Sequence, residues 1–188
     1  MAIDSTSITI DELTLSSPPQ AIAQARDLLL EYGRFVIAQP GAARFCFGSL
    51  EKEAERLPLS FLEQGGGSMI AYADGEPAGF VAWREIPAPA SMDDSVAIQP
   101  QLADKPQLAF ELKRLWVAPD ARGLALGRKL TETVLDRART AGRRSVYLDT
   151  APQSMAAAYR MYLSLGFVPC QRYNDNPVEG LAYLVKHL

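Results

Sequence analysis

Cysteine and histidine are almost missing from this 188-residue chain, which has two cysteines, Cys46 and Cys170, and a single histidine, His187. The cysteines lie outside any Cys-x-x-Cys spacing, so a zinc site, a disulfide framework and a histidine-based triad are excluded. Both thiols read as buried filler. No apolar run approaches the roughly 18 residues that a membrane span needs, and Asp4, Asp11 and Glu12 stand where a secretory leader would be basic and then apolar. The expected setting is cytoplasmic. Excess positive charge is missing too. Nineteen Lys and Arg face 22 Asp and Glu, a net −3, which removes the electrostatic basis for coating nucleic acid or an anionic membrane. What is present is 48% hydrophobic residues over a length that suits one domain covering residues 1–188.

Ile8 and Ile10 alternate with polar residues, so Ser5 to Leu15 reads as a strand. Pro18-Pro19 opens a helix through about Val36, and a second helix covers Leu50 to Leu57. Gly65 to Gly67 reads as a loop; Met69–Ala73 and Ala78–Ile86, joined by Asp74-Gly75, read as a hairpin. Pro87 to Lys105 has no clear period and is expected to be a long loop, either a lid or a passive connection. Leu108 to Val117 is a strong strand ended by Pro119. The helix after it, from Leu126 to Ala141, carries Leu126, Leu130, Val134, Ala138 and Ala141 on one face. Ser145–Asp149 is the next strand. Ser154 is expected to cap a helix that Gly166 ends, and strands near Val168–Tyr173 and Leu181–Lys186 close the chain.

Basic residues concentrate at Arg122, Arg128, Lys129, Arg137, Arg139, Arg143 and Arg144, with Glu132 and Asp136 the only acids between them. Small residues in Arg122-Gly123-Leu124-Ala125-Leu126-Gly127-Arg128 precede a helix, where backbone N–H groups lack partners and can face an anion. Cations in a helix's first turn oppose its dipole unless something negative is bound, so their placement favours a phosphate ligand. The loop is neither a Walker loop nor Gly-x-Gly-x-x-Gly: three residues separate Gly123 from Gly127, and no Ser or Thr follows Lys129. A tight turn into a basic surface helix is the competing reading.

Leu115-Trp116-Val117-Ala118-Pro119 with Arg122 to Gly127, and then Met161-Tyr162-Leu163-Ser164-Leu165-Gly166-Phe167, resemble the signature strand, pyrophosphate loop and later Leu-Tyr-x-x-x-Gly-Phe block of the GNAT superfamily of acyl-CoA-dependent N-acetyltransferases. The resemblance is specific from about Ala109 to Phe167. It implies an α/β fold of layered α+β type, with a mixed, mostly antiparallel sheet splayed at its middle and flanked by helices. It also implies acetyl-CoA as cosubstrate, no metal, and transfer of the acetyl group to a primary amine of a small molecule by direct attack in a ternary complex. The coenzyme contacts implied are Leu115, Trp116, Val117, Arg122, Gly123, Leu124, Ala125, Leu126, Gly127, Arg128, Ser154 and Tyr159. Ala125 stands where glycine is commoner in the family, and Met155 where asparagine is frequent.

The same resemblance assigns the chemistry. Glu111 would take the amine proton, with strand alternation placing it on the Val117 side; a surface salt bridge with Lys113 or Arg114 is the alternative. Val117 N–H would hold the thioester oxygen, and Tyr162 would protonate the departing thiolate. For the acceptor, Tyr173, Asn174 and Asn176 are candidates, as are Arg84 and Lys113 for a substrate carboxylate; a turn and ordinary surface solvation are the competing readings. A small amine, an amino acid or related metabolite, is the expected partner, with a homodimer left open. The rival function is an acyl-CoA-binding sensor or scaffold that transfers nothing.

Overall fold

In the computed structural model, residues 6–39, 47–89 and 107–188 are described. Seven strands form one sheet in the order β1-β2-β3-β4-β5-β7-β6: β1 Ile8–Glu12, β2 Gly67–Ala73, β3 Glu76–Pro87, β4 Leu108–Val117, β5 Ser145–Thr150, β6 Val168–Pro169 and β7 Ala182–His187. All pairings are antiparallel except β4 with β5. This is the mixed sheet expected. Asp74 and Gly75 turn the β2–β3 hairpin with φ of 50° and 84°, the left-handed pair that an Asp-Gly tight turn supplies.

Helices cover both faces. On one lie α1 (Pro19–Ile37), α2 (Phe47–Glu55) and the short α3 (Leu59–Leu62), packed against Ile70, Phe80, Ala82 and Trp116. On the other lie α4 (Leu126–Thr140) and α5 (Ala156–Ser164), against Met69, Val81, Phe110, Leu112 and Leu148. The stripe Leu126, Leu130, Val134 and Ala138 is buried as its period predicts, whereas Ala141 is exposed just beyond the helix. Gly166, at φ 84°, ends α5, and Phe167 turns back under Tyr162.

Several boundaries differ from expectation. Strand β1 is confined to five residues, α2 begins at Phe47 with α3 following as a separate turn, and Gly67 already belongs to β2. The last two strands are shorter or shifted: β6 has two residues and β7 begins at Ala182. Ser154 does not cap α5, because Met155 holds the N-cap position and no side chain bonds the helix end. Most of the Pro87–Lys105 segment, and Cys46, lie outside the described residues; Cys170 is half-buried.

Two irregularities shape the sheet's middle. Strands β3 and β4 pair Arg84 with Glu111 and Ala82 with Lys113, but then Phe80 with Trp116, so β4 spends one residue more than β3. Arg114, at φ 57°, sits within this bulge. Strands β4 and β5 pair only at Phe110–Val146 and Glu111–Tyr147. Beyond Glu111 the strands part, leaving that edge of β4 without a strand partner.

Candidate active site

The parting of β4 from β5 opens a cleft, lined at its head by Leu115, Trp116, Val117, Arg122, Gly123 and the start of α4. No backbone acceptor within the described residues serves the N–H groups of Gly123, Leu124, Ala125, Leu126, Gly127 or Arg128; the first helical bond is Lys129 N–H to Ala125 O at 3.1 Å. The first turn of α4 carries no acidic side chain. Unpaired amides, a helix dipole and nearby guanidiniums fit a pyrophosphate. Ala125 adopts φ 58°, the left-handed region, which explains why glycine is the commoner residue in such loops. Of the implied coenzyme contacts, Leu115, Trp116, Val117, Arg122, Gly123, Ala125, Leu126, Gly127, Arg128 and Ser154 line this part of the cleft. Two do not: Leu124 and Tyr159 pack against the core instead.

Farther along, Tyr162 on α5 reaches the cleft beside Leu112, Leu115 and Met155. It is buried, its ring meets Phe167 edge to face at 5.6 Å, and its hydroxyl has no hydrogen-bond partner among the described residues. Burial pushes its phenol well above the usual value, with lesser contributions from Tyr32 and Asp149. The hydroxyl therefore stays protonated and is available as a donor.

Glu111 corrects one expectation. Because the Arg114 bulge shifts the alternation by one residue, Glu111 shares a face with Lys113 and Trp116, while Leu115 and Val117 face α4. Its carboxylate is 1% exposed and receives Arg84 Nε at 2.5 Å, Tyr173 Oη at 3.1 Å and Asn174 Nδ2 at 3.1 Å, with Lys113 Nζ at 3.5 Å. Burial pushes its carboxyl up, but the Lys113 and Arg84 charges and the bonds from Arg84 and Asn174 outweigh that and leave it below the usual range. It does not line the cleft. A carboxylate so engaged is a weaker proton acceptor than a free one.

The acceptor candidates divide similarly. Lys113 and Asn176 line the cleft, whereas Arg84, Tyr173 and Asn174 do not. Tyr173 stacks edge to face on Tyr147 and Tyr183, and burial, ahead of Glu111 and Asp149, drives its phenol far up. Asn174 Nδ2 also donates to Asp149 Oδ2 at 2.8 Å, and Asn176 Nδ2 donates to the same oxygen at 3.1 Å. Arg172 in turn donates to the carbonyls of Asn174 and Asn176, at 2.8 and 3.0 Å, which fixes the segment.

Among the cleft residues that escaped the sequence reading are Asp149 and Tyr32. Asp149 carried a signal, a lone carboxylate within the apolar strand Ser145–Thr150. Arg114 makes a two-pronged bond to Glu53 at 2.9 and 3.1 Å and lies over the Tyr32 ring at 5.8 Å, a meeting of β4, α1 and α2 that no local pattern announces. No cluster of His, Cys, Asp or Glu among the described residues could hold a metal, and no described helix is long and apolar enough to cross a membrane.

Comparison with known proteins agrees with this geometry. An uncharacterized N-acetyltransferase of Schizosaccharomyces pombe is 36% identical over 74 residues, 39% of this chain and 45% of that protein. The IAA acetyltransferase of Azospirillum brasilense is 37% identical over 72 residues, 37% of this chain and 46% of the relative. The chain thus spans less than half the length of these relatives. An acetyltransferase from Streptococcus agalactiae has the same fold at TM-score 0.65 and 20% identity, with 96% of this chain and 98% of that one covered. The PaiA N-acetyltransferase of Thermoplasma acidophilum, in complex with coenzyme A, does so at TM-score 0.66 and 15% identity, covering 97% and 99%. The profile of the acetyltransferase (GNAT) family matches residues 29–167, most of the length, and the chain belongs to that family.

Proposed function

We propose that the protein transfers an acetyl group from acetyl-CoA to a primary amine of a small molecule, by direct attack in a ternary complex. The observation that carries this reading is the run of unpartnered N–H groups from Gly123 to Arg128 at the head of a cleft that follows the open edge of β4 to Tyr162. Acetyl-CoA, when bound, supplies the activated acyl carbonyl. The loop amides with Arg122 and Arg128 hold its pyrophosphate, and the free backbone of β4 pairs with the pantetheine arm. Val117 N–H polarises the carbonyl oxygen. As the amine attacks, the C–N bond forms and the C–S bond breaks; one proton leaves the nitrogen for solvent in the cleft, and the Tyr162 hydroxyl gives one to the departing thiolate and regains it from solvent. Glu111 acts at a distance, through Asn174, by fixing the acceptor side of the cleft. PaiA, in its coenzyme A complex, supports the choice of coenzyme.

Gly127 offers the test, since a Cβ there would already meet Met161 Sδ at 3.5 Å and Val117 Cγ2 at 3.7 Å. Gly127→Trp is expected to abolish acetyl-CoA binding in calorimetry while the domain stays folded. Binding that survives unchanged would remove the proposed placement. Free-thiol release from acetyl-CoA over an amine panel then separates a transferase from a module that only binds.

A further inference from the structure

We propose that the acceptor is an amino-carboxylate, a small molecule bearing ammonium and carboxylate on one carbon as an α-amino acid does, with its ammonium on Asp149 and its carboxylate on Lys113. The inference rests on the function proposed above and names what fills the acceptor side of that cleft.

The charged groups lining the acceptor end of the cleft are Lys113, Arg114, Asp149 and Glu179. Arg114 already faces Glu53 through two bonds, and Glu179 is exposed. Asp149 and Lys113 are different. Asp149 receives only neutral amide donors, Asn174 at 2.8 Å and Asn176 at 3.1 Å, both on one oxygen, and no cation among the described residues lies within 4.0 Å of it. Its negative charge acts on Lys113 from beyond that distance, with no bond between the two.

Lys113 is the reverse case. Its side chain is 18% exposed, and its only ion pair among the described residues is Glu111 Oε2 at 3.5 Å, longer than a charge-assisted hydrogen bond and on an oxygen that Arg84 already occupies at 2.5 Å. One carboxylate, Glu111, thus stands between two cations, and Lys113 keeps donor capacity. Parallel pairing of Glu111 with Tyr147, together with strand alternation, puts Lys113 and Asp149 on the same face of the sheet, one on each side of the opening. They do not pair with each other within 4.0 Å.

Two sheltered charges of opposite sign that stay apart are costly, and the cost is recovered by a ligand that brings the opposite sign to each. A plain amine answers Asp149 alone. A lysine side chain also falls short, because its ε-ammonium is separated from its own carboxylate by five carbons. A polyamine meets Lys113 with like charge.

The experiment compares initial rates at saturating acetyl-CoA for L-serine against ethanolamine, L-phenylalanine against phenethylamine and L-tyrosine against tyramine. The amino acid of at least one pair is expected to have a KM about tenfold lower or better than its carboxylate-free partner. Lys113→Met should collapse that ratio toward one through KM rather than kcat, Lys113→Arg should restore part of it, and Asp149→Asn should raise KM for both members. Lys113→Gln serves as a second variant if the methionine protein folds poorly. Equal KM values within every pair, or a preference that survives both neutral replacements of Lys113, would overturn the inference alone. Acetyl-CoA binding without turnover on any of the six compounds would overturn the transfer reading for small amines, and this inference with it.

Discussion

Glu111 and Asp149 share one amide nitrogen: Nδ2 of Asn174 lies 3.1 Å from Glu111 Oε1 and 2.8 Å from Asp149 Oδ2. A buried carboxylate on β4 is thereby coupled to a cleft-lining carboxylate on β5 across the opening between the strands. Asn174→Ala should cost about 2 kcal/mol of stability, the scale of hydrogen bonds to charged groups, and raise the acceptor KM without changing acetyl-CoA affinity. Asn176→Ala, which loses one bond to Asp149 and the one that Val178 N–H donates to Asn176 Oδ1, should do less, since the Asn174 side chain makes three bonds. Chemical denaturation and steady-state kinetics on both variants check the order.

Glu111 makes stability depend on acidity in a definite direction. Its folded carboxyl titrates below the ordinary 4.5, so the stability it contributes is complete above about pH 4.5 and is lost as the pH falls through the lower folded value. Glu111→Gln should be less stable than the parent by about 3 kcal/mol at neutral pH, because Arg84 and Lys113 lose their buried counter-charge. The gap should narrow below pH 4.5. Urea melts of both proteins from pH 3 to pH 7 measure it, and parallel curves would refute it.

At Tyr162, Phe keeps the edge-to-face contact with Phe167 and removes only the unpartnered hydroxyl. Turnover should fall by more than about tenfold, since general acid catalysis typically supplies 10²- to 10⁴-fold, with the melting temperature nearly kept. Tyr159→Phe is the control: it lies a turn earlier, packs on the core and does not line the cleft. A larger loss at Tyr159 would show that Tyr162 is not the acid and move that role one turn earlier.

The loop before α4 is strained at one place. Ala125 holds φ 58°, a conformation costing a non-glycine residue roughly 1 kcal/mol. Ala125→Gly should be neutral to slightly stabilising with full acetyl-CoA affinity. Ala125→Val, branched at Cβ, should lose about 2 kcal/mol and weaken coenzyme binding as the amides turn away. Thermal melts and calorimetry report the two effects separately.

Residues 108–167 were the most legible because their patterns are local. Leu108–Val117 begins and ends where its apolar run and Pro119 place it, and the Leu126 stripe faces the core. The β4 bulge was not legible. Nothing in Leu-Lys-Arg-Leu-Trp marks Arg114 as a residue at positive φ, so alternation assigned Glu111 to the wrong face. Tyr173 and Asn174 were singled out as acceptor contacts, yet both bond Glu111, 62 and 63 positions away, a distance over which sequence pattern carries no pairing information. Ser154 failed for the opposite reason: a good capping residue was present, yet Met155 took the cap position.

The guanidinium of Arg122 lies over the Trp116 ring at 5.4 Å, while the indole N–H of Trp116 donates to Glu31 at 3.1 Å. Of the two tryptophans, Trp83 is packed on the opposite face of the sheet, with Phe110. An anion that recruits Arg122 lifts a cation off one fluorophore and leaves the other undisturbed. The protein therefore carries an optical gauge of its own: emission under 295 nm excitation should shift as the phosphate loop fills, and Arg122→Ala should silence it, giving a label-free titration of coenzyme in the absence of any acceptor.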